Sequence, residues 1–382
     1  MSIRTETLPF AANGRSPRPH IALFRALPGL GDWLCAAPAW RALRAALPHA
    51  RITLIGLPHT RPLAHRFAAC LDDFLPFPGF PGLTPEPPRL PALFAFFAHV
   101  RGQFDLALQM HGSGAVSNTV VRLLDARQCA GFYPPNAPCP DENGFFPYPA
   151  HLSEVQRCLS LLECLDISGA SDALFFPLHD ADAADFAALT AQRPFPTPYA
   201  CIHPGASTPA KRWPAAGFAR VADALAAAGL AVVLTGSAAE RPLTTAVAHA
   251  MRHPAANLAG HTSLGALAHL LQHARLLVCN DTGVSHLAAA LQTPSIVIFT
   301  AAADLPRWAP QNRTRHRPIV AAHNAAAAPT NAQIPTAGSP SCAPVQSARR
   351  TATTAATAVL ADTAAILAAA RALLHQEVPH AA

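Results

Sequence analysis

The chain has 382 residues, 51% hydrophobic and 13% charged, with a formal net charge of +6. That much apolar material over that length fills about two domains and excludes a disordered chain. Arg supplies nearly all the positive charge, Lys occurring once at Lys211, and no basic block marks a nucleic-acid arm.

Residues 1–19 read as a flexible leader. A strand–helix rhythm then starts. Ile21–Leu27 is an apolar run, followed by a Pro-Gly-x-Gly-Asp turn and a helical pattern over Trp33–Leu47. Arg51–Gly56 reads as a second strand and Phe104–Met110 as a third. A Gly-rich turn, His111-Gly112-Ser113-Gly114, leads into a helix over 115–124, and Leu152–Leu165 is another amphipathic helix. A Pro-rich segment with one helical piece, 176–198, reads as the domain boundary. The rhythm restarts with strands at Tyr199–His203, Leu230–Thr235, Arg275–Cys279 and Ser295–Phe299. Helices are expected over Ala215–Ala228, Ala239–Met251 and Leu264–Gln272, with another opened by Asp281. Residues 310–350 look like a loop, and Thr354–Leu374 a final helix. Short β-runs alternating with helices indicate parallel β-α-β units, hence an α/β protein with two doubly wound halves. Ligands of such sheets bind at the carboxyl ends of the strands, here in a cleft between the halves.

Nine Cys stand singly without a C-x-x-C pair, which suits reduced thiols in a cytoplasmic protein. The N-terminus carries no apolar signal core, and no apolar run reaches the roughly 18 residues of a membrane span. No His or Cys cluster has zinc spacing, so no metal is called for.

Four motifs follow strands. Pro28-Gly29-Leu30-Gly31-Asp32 lacks the third Gly of a dinucleotide fingerprint. Asp32 is therefore either a helix N-cap or a general base on a tight turn. In His203-Pro204-Gly205-Ala206-Ser207-Thr208-Pro209-Ala210-Lys211-Arg212-Trp213-Pro214, backbone amides with Ser207 and Thr208 can cradle phosphate oxygens, and Lys211 adds a point charge. A solvated surface cation could have been Arg like every other in the chain. Leu234-Thr235-Gly236 leads to Glu240, which either accepts ribose hydroxyls or compensates a helix dipole. Cys279-Asn280-Asp281-Thr282-Gly283-Val284-Ser285-His286 places free helix amides after a strand, an anion site, with Asp281 as cap and His286 one turn in. Arg307-Trp308 is placed to cover the same pocket.

The strings Pro204-Gly205…Lys211-Arg212-Trp213-Pro214, Leu234-Thr235-Gly236…Glu240 and Asn280-Asp281-Thr282-Gly283-Val284-Ser285-His286 resemble glycosyltransferase family 9, the bacterial ADP-heptose:lipopolysaccharide heptosyltransferases. The Gly31-Asp32 and Gly112-Ser113-Gly114 turns resemble that family's N-terminal half. The resemblance covers roughly residues 20–310. It implies a GT-B fold with an acceptor domain at 20–180, a linker at 181–198, a donor domain at 199–350, and a last helix, 351–382, crossing back to the first domain. It implies inverting, metal-independent transfer from an ADP-sugar to a lipopolysaccharide-core hydroxyl, with peripheral contact at the inner membrane.

By that resemblance Asp32 is the base, with Gly31, His111 and Ser113 on the acceptor side. Gly205, Ser207 and Thr208 hold the diphosphate, with Lys211 neutralising it. Thr235, Gly236 and Glu240 serve the nucleoside, and Asp281, Thr282, Gly283 and His286 line the donor site. Ala206 departs from the family's second hydroxyl, and Thr300-Ala301-Ala302-Ala303 from an expected Gly turn. Two other readings stand beside this one. The first is a UDP-sugar transferase or 2-epimerase on the same fold. The second is a non-catalytic nucleotide-sugar-binding subunit, against which the presence of Asp32 and Lys211 argues.

Overall fold

The computed structural model describes residues 18–84, 88–301, 303–322 and 345–375, with side chains from 358 onward in the last segment. The chain divides into two units, 1–177 and 178–382.

The first unit carries strands β1 (His20–Phe24), β2 (Arg51–Gly56), β3 (Asp73–Pro76), β4 (Leu106–Gln109), β5 (Gln128–Tyr133) and β6 (Phe145–Pro147). All pair in parallel, in the order β3-β2-β1-β4-β5-β6. Its helices are α1 (Leu30–Ala46), α2 (Arg61–Arg66), α3 (Leu90–Val100), α4 (Ser117–Leu123) and α5 (Glu154–Glu163). β1 is buried on both faces, as a central parallel strand covered by helices must be. One core joins Ala22, Phe24, Ile55 and Ala107 of the sheet to Val100, Val120 and Val121 of the helices.

The second unit begins with α6 (Asp180–Gln192). Its strands are β7 (Tyr199–His203), β8 (Ala231–Leu234), β9 (Ala255–Asn257), β10 (Leu276–Asn280), β11 (Ser295–Phe299) and β12 (His316–Val320). They too are all parallel, in the order β12-β11-β10-β7-β8-β9. Counted from β7, this is the same 3-2-1-4-5-6 winding as the first sheet. Its remaining helices are α7 (Ala215–Ala227), α8 (Arg241–Ala250), α9 (Leu264–Gln272), α10 (Gly283–Ala290), α11 (Leu305–Trp308) and α12 (Val345–Leu374).

Two expectations need correction here, and one lies partly beyond view. The 310–350 stretch holds a sixth strand, β12, which pairs along its whole length with β11. Much of the expected linker is the helix α6, built into the second unit: Asp182 lies over Gly265, Phe186 stacks on His269 and His273, and Ser263 donates to Asp185. The described part of α12 packs into the second unit. It puts Val359, Ile366, Ala370 and Leu373 into the core with Phe218, Val278 and Ile298 of the second unit. The leader, up to residue 17, lies outside the described residues.

Candidate functional site

In a sheet wound 3-2-1-4-5-6, the two central strands send their chains to opposite faces, and a crevice opens at their carboxyl ends. That point lies between β1 and β4 in the first unit, and between β7 and β10 in the second. All four strands run straight into the motifs singled out by sequence.

In the first unit, β1 leads through Arg25 and the Pro28-Gly29 turn into α1. Gly29 is the N-cap and no side chain caps the helix. Asp32 is thus the third helical residue, not the cap. Its carboxylate lies over Gly29, in the space a Cβ there would need. Gly31 is buried in the same turn. Arg25 is 1% exposed. Its Nε donates to Asp32 O (3.0 Å), Nη1 to Met110 O (2.5 Å) and Nη2 to Glu154 Oε1 (2.9 Å), and Nη2 lies 4.0 Å from Asp32 Oδ1. Burial alone would lower the Arg25 pKa, but neighbouring Cys158, Glu154 and Asp32 raise it above its ordinary value.

The β4 end places His111 beside the same residues. The Ala26 amide donates to His111 Nδ1 (3.2 Å), and the ring stacks on Phe24. Burial, then the nearby Arg25 charge, pushes its pKa down to about 4. A neutral ring accepting at Nδ1 carries its proton on Nε2, so it offers a donor. Ser117 Oγ and Gln109 Nε2 both donate to His111 O and fix the turn. Ser113 sits between Gly112 and Gly114, both at positive φ. At Gly114 a Cβ would strike Phe132 O, so the turn demands glycine.

In the second unit, Asn280 at the end of β10 clamps the Pro204–Trp213 loop. Its Nδ2 donates to Pro204 O (2.8 Å) and Gly205 O (3.3 Å), and its Oδ1 accepts from the Trp213 amide (2.9 Å). Thr300 Oγ1 donates to Ala210 O (2.9 Å) from the next strand end. Lys211 Nζ is thereby held 2.8 Å from Asp281 Oδ2, immediately before α10. Asp281 does not cap that helix, as the sequence suggested. Thr282 is the N-cap, no side chain caps it, and the Asp281 carboxylate is turned to Lys211. Lys211 is one partner of a pair that is 23% and 5% exposed, and Gly283 opens the helix beside it. Ser207 and Thr208 are exposed on the loop.

Glu240 has two roles at once. Its Oε2 accepts from the amide (2.8 Å) and hydroxyl (2.9 Å) of Ser237, a capping box. Its Oε1 lies where a Gly205 Cβ would stand. Burial would raise its pKa, but the Ser237 amide, then His203, the Ser237 hydroxyl and Arg212 hold it below the ordinary carboxylate value. His203 is buried against Thr235 Oγ1 (3.1 Å), and burial pushes its pKa down. Gly236 packs on Glu240 Cβ. His286 is buried one turn into α10, its ring 5.9 Å from Trp308, over which the Arg307 guanidinium lies (4.6 Å). Among the described residues, no three His, Cys, Asp or Glu group to hold a metal ion.

A family model described as glycosyltransferase family 9 (heptosyltransferase) matches residues 93–338, more than half the chain. The chain belongs to glycosyltransferase family 9. A family 9 glycosyltransferase from Veillonella parvula shares the fold at TM-score 0.62 and 18% identity, over 79% of this chain and 85% of that one. The E. coli ADP-heptose lipopolysaccharide heptosyltransferase II does so at TM-score 0.59 and 22% identity, over 78% and 90%. These likenesses show a GT-B fold of two Rossmann-like units. Lipooligosaccharide heptosyltransferase 2 of Haemophilus influenzae is 38% identical over 101 residues, 25% of this chain and 29% of that protein. The E. coli lipopolysaccharide heptosyltransferase 2 is 37% identical over the same shares. The family 9 chain thus matches under a third of the length of these relatives.

Within this family 9 chain, the structure pairs Lys211 with Asp281, Gly205 with Glu240, Thr235 with His203, and Asp32 and His111 with the Arg25–Ala26 segment. Sequence reasoning gave no role to Arg25, Glu154 or Asn280. The available signal for Arg25 was a charge set directly after the wholly apolar Ile21–Phe24.

Proposed function

We propose that this chain is an inverting glycosyltransferase that moves a heptose from ADP-heptose to a hydroxyl of a lipopolysaccharide-core acceptor. The observation that carries the reading is the junction of Lys211, Asp281 and the uncapped start of α10 at the switch point of the second sheet. An ammonium beside open helix amides is what a departing diphosphate needs. Membership of family 9 and the heptosyltransferase activities of the Haemophilus and E. coli relatives point to the same donor and acceptor class.

The step balances on these residues. Asp32 takes the proton of the acceptor hydroxyl, whose oxygen bonds to the anomeric carbon of the donor from the face opposite the diphosphate. The bond from that carbon to the phosphate oxygen breaks, and the electron pair leaves with ADP. Lys211 and the amides of Thr282 and Gly283 receive the growing charge. This reading places charge neutralisation on the protein and asks for no metal. Gly205, Ser207 and Thr208 approach the phosphates, and Glu240 Oε1 accepts from a ribose hydroxyl while Oε2 remains with Ser237. Gly31, His111 and Ser113 line the acceptor side. Thr235 and Gly236 support the nucleoside end, and His286 closes the donor site with Trp308. The step takes place at the cytoplasmic face of the inner membrane, where the acceptor's lipid lies. Among the described residues, no helix is long and apolar enough to cross a membrane, so contact there is peripheral in this reading.

Calorimetric titration with ADP and UDP tests the donor assignment. ADP is expected to bind at least ~10-fold more tightly, a difference of about 1.4 kcal/mol. Preference for UDP would move the assignment to a UDP-sugar enzyme on the same fold.

A further inference from the structure

We propose that Arg25 is the positioning residue of the acceptor side, holding the Asp32 carboxylate and the His111 turn in one working geometry, with Glu154 as its counter-charge. The inference rests on the reading in which Asp32 takes the acceptor proton.

A guanidinium that is 1% exposed carries a large desolvation penalty. Its neighbours Phe24 and Ala26 are apolar, so packing alone is met more simply by another apolar side chain. What the guanidinium adds is a fork that reaches three elements at once. Nε binds the main chain of Asp32, Nη1 the carbonyl just before His111, and Nη2 the Glu154 carboxylate on α5. The Cys158 Sγ closes the shell at 3.7 Å from Nη1. Glu154 is fixed in turn, since its other oxygen accepts from Arg157 Nη1 (2.8 Å). Arg157 itself donates to Leu152 O (2.7 Å) and lies over the Tyr148 ring. The chain Arg25–Glu154–Arg157 therefore runs buried from the base to α5.

Burial pushes up the thiols of Cys35 and Cys158, the latter to about 12, and both stay protonated. His111 is neutral above about pH 4. Arg25, Glu154 and, behind it, Arg157 supply fixed charge near Asp32. Arg25 favours the ionised form of Asp32, and Glu154 offsets that effect.

The two partners must therefore act on the base with opposite sign. The test measures heptose transfer from ADP-heptose to heptose-deficient lipopolysaccharide against pH for wild type, Arg25→Gln, Arg25→Lys and Glu154→Gln. ADP affinity and thermal unfolding are followed in parallel. Arg25→Gln is expected to lower kcat by roughly 10-fold or more and to move the acid limb of the pH profile up. ADP affinity should stay within about twofold, because ADP is assigned to the other unit. Arg25→Lys should restore the limb but not the full kcat, since it keeps the charge and loses the fork. Glu154→Gln should move the limb down. If Arg25→Gln fails to fold, the direction of the Glu154→Gln limb decides alone. Limbs that stay in place, or move together, overturn the proposal. Wild type that transfers nothing overturns the functional reading itself, a separate outcome.

Discussion

Gly205 shows how tightly single residues are specified in the Pro204–Trp213 loop. Its missing side chain leaves the space that the Glu240 carboxylate fills, while its carbonyl is held by Asn280. Gly205→Ala is expected to displace that carboxylate and weaken ADP binding on the order of 10-fold, about 1.4 kcal/mol. Titration of the folded variant checks this, and unchanged affinity would remove Glu240 and Gly205 from the donor site. Lys211 was legible from composition, as the one Lys among 28 basic residues. Its pairing with Asp281 was not, because it joins residues 70 positions apart through the clamp made by Asn280. Asp281 looked like a cap because an acid before a helix usually is one. Here a cation outcompetes the helix amides for it.

At the scale of elements, the central strands were the readable ones. Arg51–Gly56, Tyr199–His203 and Ser295–Phe299 keep their predicted bounds, as does the helix Leu264–Gln272. Buried parallel strands are short apolar runs bounded by turns, and that pattern is local. The strands that escaped notice include all four sheet edges, β3, β6, β9 and β12. Three of these carry a proline (Pro76, Pro147 and Pro318), which an edge tolerates and a sequence pattern counts against a strand. The fourth, β9, is only Ala-Ala-Asn. The same distance blindness hid the partner of α12. Trp213 Nε1 donates to Asp362 of that helix (3.2 Å), and the same carboxylate accepts from the Ala322 amide (3.0 Å). Gly217 leaves room for the indole ring. Trp213→Phe should cost about 1–3 kcal/mol, measured by denaturant unfolding, because it strips a donor from a buried carboxylate. A loss below a few tenths would mean that this tie contributes nothing.

Over the whole molecule, two sheets with one winding put both sets of motif residues at equivalent switch points. The histidines with lowered pKa give the molecule a pH signature. Burial, first among the causes, pushes His111 and His316 down to about 4 and lowers His20 and His203. The unfolded chain takes up these protons near pH 6.5 while the folded one does not. Stability is therefore full above about pH 6.5 and is lost as pH falls toward 4. Between pH 7 and 5, where most carboxylates remain ionised, His111 and His316 should each cost on the order of 1 kcal/mol. Thermal unfolding across that window should show a falling Tm, and a flat profile would mean these rings are protonated in the fold. The proposed transfer is tested most directly by mass-spectrometric detection of heptose added to heptose-deficient lipopolysaccharide by wild type and Asp32→Asn, with ADP-heptose as donor and EDTA present. Heptose is predicted to appear with the wild type and to be absent with Asp32→Asn, while that variant still binds ADP. Transfer that survives the substitution, or that appears only when a divalent metal is restored, would contradict it.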